Sequence, residues 1–143
     1  MDIINSRGWV FYVNGEPEFE LNKVGKWMYF FEEKDKEFAA KICKKAVEEY
    51  IVMEAKHTAD EILKYKGTGV ACFYIHYDDI DAHKRVLSYF LKNSLICKTK
   101  EGRLYDISFK TDKQTLNRQY GNDFSSEIKL SKFVDLDSGK WLI

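Results

Sequence analysis

Val24-Gly25-Lys26-Trp27-Met28-Tyr29-Phe30-Phe31 is an aromatic, apolar run that ends in the charged stretch Glu32 to Lys36. Behind it Phe38, Ile42, Ala46 and Tyr50 recur every four positions, with Ala39, Cys43 and Val47 beside them. The first run reads as a strand too apolar to face water on both sides. The second reads as an amphipathic helix over 36–50, with Asp35 as its N-cap. A strand followed by a helix that can cover it is the unit to which the rest of the chain adds.

Working outward, Trp9 to Val13 is β-branched and aromatic and predicts a strand. Asn14-Gly15 marks a turn, but Glu16 to Asn22 is acidic and holds Pro17, so a loop to the 24–31 strand is expected in place of a hairpin. Val52 to Lys56 predicts a short strand. Thr58 and Glu61 have capping-box spacing, which predicts a short helix over 60–65. Val70 to Ile75 is apolar on both faces and predicts a central strand. Asp78 or Asp79 caps a helix whose stripe is Ile80, His83, Val86, Leu87, Phe90 and Leu91. Leu104 to Lys110, Ile128 to Val134 and Lys140 to Ile143 predict three further strands, and Thr111 to Gly121 is polar and reads as irregular chain or a helical turn. The order implies one α+β domain over residues 1–143. Its expected form is a curved, mainly antiparallel sheet with two main helices packed on one face.

Composition narrows the function. Lys plus Arg and Asp plus Glu both total 23, so the net charge is zero, which disfavours broad nucleic-acid binding. Cys43, Cys72 and Cys97 lie far apart in or beside apolar runs; they predict buried thiols, with neither a disulfide framework nor a zinc set. His76 and His83 flank an acidic stretch, but their spacing has no helical logic across a strand end, and no metal is expected. No phosphate loop, dinucleotide fingerprint or nucleophile elbow is present, and no cofactor is expected. The start, Met1-Asp2-Ile3-Ile4-Asn5, lacks the basic opening and apolar core of a signal peptide, and no run is long enough to span a membrane. A cytoplasmic setting with no membrane partner is the expectation. Oligomeric state is left open, homo-oligomers included.

Cations near aromatics are the most suggestive constellation. Lys26 precedes Trp27, Lys56 precedes His57, Arg103 and Tyr105 share an alternating segment, and Lys110 and Arg118 follow. Cations take phosphate and ring faces stack bases, so Lys26, Trp27, Lys56, His57, Arg103, Tyr105, Lys110 and Arg118 are the candidate ligand-binding residues. The competing account makes Trp27 core and the lysines a solvated surface. Lys56 and His57 are the acid/base candidates, but neighbours in a strand point to opposite faces. No catalytic residue is assigned.

Gly25 to Phe31 with its helix, the strand bearing Ala55-Lys56, the apolar strand and acidic helix start after it, and Phe109-Lys110-Thr111-Asp112 with Thr115 together resemble the basophilic leukemia-expressed protein family. Bacterial relatives of that family are labelled phosphothreonine-lyase-domain proteins. The resemblance covers roughly residues 24–120, and Thr111 stands where the family favours proline. It implies the fold of the eukaryotic cap-binding initiation factor and supplies no catalytic residues. The expected function is a small binding module for a nucleotide-like or phosphorylated ligand, one form of which would sequester a nucleotide signal. The alternatives are a phosphothreonine-lyase-like enzyme and a protein-interaction domain without a small ligand.

Overall fold

The computed structural model describes residues 1–112 and 128–143. Six strands form one sheet: β1 (Asp2–Ser6), β2 (Trp9–Val13), β3 (Val24–Glu32), β4 (Glu54–Thr58), β5 (Thr68–His76) and β6 (Lys110–Thr111). Their order is β1-β2-β4-β5-β3-β6, and every neighbouring pair is antiparallel. Among the described residues three helices complete the α+β fold: α1 (Lys36–Glu48), α2 (Asp60–Lys66) and α3 (Ile80–Lys92). Among the described residues no helix is long and apolar enough to cross a membrane.

The N-terminal strand β1 is an addition to the expected elements. All five of its residues are exposed, so it carries little apolar signal, and its pairing with β2 alone defines it. Asn14-Gly15 closes no hairpin, as the acidic segment after it suggested. The Asn14 side chain instead donates to the carbonyl of Val47 at 2.7 Å, tying β2 to α1.

Alternation along β3 sorts its side chains as a pleat requires. Trp27 and Phe31 are buried on the side of α1 and α3, while Lys26, Met28 and Phe30 point the other way. Gly25 sits where the chain returns to the sheet: a Cβ there would lie 2.6 Å from the Lys110 carbonyl oxygen and 2.7 Å from the Phe109 ring. Only glycine admits that approach.

Helix α1 buries Ala39, Ile42, Cys43, Ala46 and Val47. Phe38, expected in the stripe, is 43% exposed, with its ring in a T-shaped contact with Tyr29 at 6.3 Å; Tyr50 lies beyond the helix and is exposed. A 3₁₀ turn over Glu33–Asp35 leads into α1, and Asp35 makes no side-chain cap bond. Thr58 does not cap α2 either. Its hydroxyl serves the sheet, accepting from the amide of Val70 at 2.9 Å. Asp79 does cap α3, accepting from the Ala82 amide at 3.1 Å. Helix α3 buries His83, Val86, Leu87 and Phe90 but leaves Ile80 exposed.

The C-terminal strands are the main correction. Among the described residues after α3 only Lys110–Thr111 pairs as a strand, and residues 104–109, 128–134 and 140–143 make isolated bridges, Lys98 with Leu104, Ser108 with Lys129 and Val134 with Trp141. Leu130–Lys132 is a 3₁₀ turn. Apolar alternation there supplied buried side chains, Leu104, Phe109, Leu130, Phe133 and Val134, without a neighbouring strand to share a ladder. Of the cysteines, Cys43 and Cys72 are buried and Cys97 is exposed.

Candidate ligand-binding face

The sheet face turned away from α1 and α3 is assembled by register. Phe11 opposes Lys56, Lys56 opposes Cys72, Cys72 opposes Met28, and Lys26 lies between Tyr74 and Lys110. Side chains in register share a face, so lysines from β3, β4 and β6 converge with aromatics from β2 and β5.

Lys56 is the centre. Its ammonium stands 3.8 Å from the centroid of Trp9, 5.6 Å from that of Phe11 and 5.7 Å from that of Tyr74. Ring faces attract a cation at such distances. Burial pushes the Lys56 pKa below the ordinary lysine value; nearby Lys26 adds to that, while Asp112 and Glu54 oppose it. Burial likewise raises Glu54, and Asp112 adds to it. Lys26 is buried and pairs with Asp112 at 3.0 Å. Burial pushes the Cys72 thiol up to about 11 against the pull of Lys56 and Lys26, so it stays protonated and is a poor nucleophile. The Tyr74 hydroxyl is also raised by burial. From the loop before β3, Phe19 leans on Tyr74 and His76 with centroids at 6.5 and 5.6 Å, walling one end of the face.

The eight sequence-derived candidates divide. Lys26, Lys56 and Lys110 share this face. Trp27 and His57 lie on the opposite one. The Trp27 indole donates to Nδ1 of His83 at 3.0 Å, and His83 Nε2 donates to the Tyr77 carbonyl at 2.8 Å. His57 Nδ1 donates to the Thr58 carbonyl at 2.9 Å, which leaves Nε2 to accept from the Tyr12 hydroxyl at 3.0 Å. Both histidines are satisfied core groups, and His57 does not join Lys56. Arg103 pairs with Asp137 at 3.1 Å and Tyr105 is exposed on the segment after α3; neither belongs to the sheet face. Arg118 lies outside the described residues, as do Tyr120, Thr115 and most of the 111–126 loop.

Trp9, Phe11, Tyr74, Glu54 and Asp112 are the residues sequence reasoning missed. Alternation already put Trp9 and Phe11 on one side of their strand, but only the pairing of β2 with β4 sets them around Lys56.

No family model matches the chain, and no curated protein matches it.

Proposed function

We propose that the face built by β2, β4, β5 and β3 is a non-catalytic binding surface for a nucleotide-like or phosphorylated ligand. The observation that carries this reading is the Lys56 ammonium held among Trp9, Phe11 and Tyr74. Such a site offers a cation to an oxyanion and ring faces to a base at the same place. Lys26, paired with Asp112, and Lys110 stand in register beside it. The kinship to the basophilic leukemia-expressed family, its cap-binder-like sheet, the cytoplasmic setting and the role of sequestering a nucleotide signal belong to the same proposal. The step from fold to ligand in it is analogy.

Isothermal titration with mono-, di- and cyclic nucleotides is the test. Binding by the wild type, weakened about tenfold or more in Lys56→Met with an unchanged fold, is the expected result. Silence of the wild type across the panel sinks the reading.

The opposed shifts of Lys56 and Glu54 favour a second reading, because perturbed acids and bases cluster where proton transfer occurs. In it Lys56 removes the α-proton of a phosphothreonine, and Lys26 and Lys110 hold the leaving phosphate. It calls for a dehydrated product and free phosphate from a phosphothreonine peptide, read by mass spectrometry; their absence removes it.

A further inference from the structure

Where β2, α2, β3 and β5 meet, Arg7, Trp9, Phe30, Ile62, Lys66 and Thr68 line a groove of about 370 Å³. Trp9 is shared with the Lys56 site, so the groove continues the same sheet face toward the β1–β2 turn. Its lining holds two cations and no carboxylate. Three other grooves on the described surface each mix in acids: Asp137 in one, Glu32 and Asp35 in another, Glu37, Asp60 and Glu61 in the third. In a chain of zero net charge that difference singles this groove out for an anion. Among the described residues neither Arg7 nor Lys66 makes an ion pair with any of the acids.

The backbone at Arg7 points the same way. Ser6 and Trp9 are paired, so Arg7-Gly8 is a two-residue hairpin turn, with φ of 49° and 83°. Positive φ at both positions calls for Asn-Gly or Gly-Gly; an arginine in the first place is strained. The turn is docked, since the Ala59 amide donates to the Gly8 carbonyl at 2.9 Å and Ile62 lies against Gly8. The side chain that costs the turn its ease is the one that lines the groove. Strain kept in an exposed residue points to a use other than folding.

We infer that Arg7 and Lys66 form the phosphate subsite of this face, so that a nucleoside phosphate lies along it with its phosphates at the β1–β2 turn and its base on the half-buried ring of Trp9 and the exposed ring of Phe30. The inference rests on the binding reading above and adds an orientation to it. Lys56, whose ammonium lies 3.8 Å from the Trp9 centroid, then meets the ligand across that ring.

The test titrates ADP, adenosine and inorganic pyrophosphate into the wild type, Arg7→Asn, Lys66→Gln and Lys56→Met, with a melting curve for each. Arg7→Asn relieves the turn, so its melting temperature should rise by about 3 °C. Its affinity for ADP and pyrophosphate should fall about tenfold or more, with adenosine unaffected. Lys66→Gln should lose affinity in the same pattern without the gain in stability. If ADP binds the wild type and both variants equally while Lys56→Met weakens it, the orientation is overturned and the binding reading stands. If Arg7→Asn melts below the wild type, Arg7 is a structural contact and the inference fails. If the wild type binds none of the three, both fail together.

Discussion

His83 has its protonation state dictated by two partners of opposite character. An indole N–H can only donate and a carbonyl can only accept, so His83 must be neutral with the proton on Nε2. Burial lowers its pKa below 6.5, and the Tyr77 carbonyl and the Asp79 and Asp78 charges only partly oppose this. The sign of the pH effect follows. Below 6.5 the unfolded chain takes up a proton that the folded chain refuses, so stability is full above that value and falls as pH drops toward the folded pKa. Glu54, whose pKa is raised by burial, works in the other direction at lower pH. Melting curves between pH 7.5 and about 5 should therefore fall for the wild type. His83→Asn, which keeps an acceptor for the Trp27 indole, should melt lower at pH 7.5 but lose less on acidification. An equal slope in the two proteins would assign the acid sensitivity elsewhere. The histidine next to a lysine, His57, drew functional interest in the sequence; its side chain is a core hydrogen-bonding group, and neighbours in a strand face opposite ways for a geometric reason.

At the scale of elements, α1 shows what periodicity carries and where it stops. The four-residue recurrence located the helix because it is a property of one segment. The width of its buried stripe depends on where the sheet lies beneath it. Ile42 is 2% exposed and Phe38 is 43% exposed, although both stand on the same recurrence. Ile42→Ala should cost about 2–5 kcal/mol, and Phe38→Ala about 1 kcal/mol or less, in urea unfolding. Equal losses would mean that Phe38 is held far more firmly than its exposure indicates. Thr58 teaches a related lesson. Its spacing to Glu61 fits a capping box, yet its hydroxyl is bound to Val70 across the sheet. A local capping bond and a cross-strand bond compete for one oxygen, and the strand pairing won.

At the scale of the molecule, zero net charge hides an uneven distribution. Lys26, Lys56 and Lys110 gather on one sheet face, Arg7 and Lys66 on its continuation, while Arg103 is paired with Asp137 elsewhere. Arg103→Glu therefore separates the two cation groups. It removes a surface ion pair whose loss costs about 1 kcal/mol at most, so melting should barely change. Nucleotide titration of this variant should match the wild type, in contrast to Lys56→Met. A tenfold loss in Arg103→Glu would place the ligand on the 97–105 segment and empty the sheet-face reading of its support.

The sequence by itself determined strands β2 to β5, the α+β class, the two long helices and the acidic cap of α3. Each depends on residues within a few positions of one another, where propensity, period and capping act directly. It also set Lys56 and His57 on opposite faces of their strand, because a pleat has a period of two. Only the tertiary structure decided that β1 belongs to the sheet and that the segments after α3 bridge without forming full strands. Strand order decided the site too: β4 lies between β2 and β5, and that alone brings Lys56 to Trp9, Phe11 and Tyr74. Pairing and register are set by the summed burial of both faces, a non-local quantity that no single segment carries.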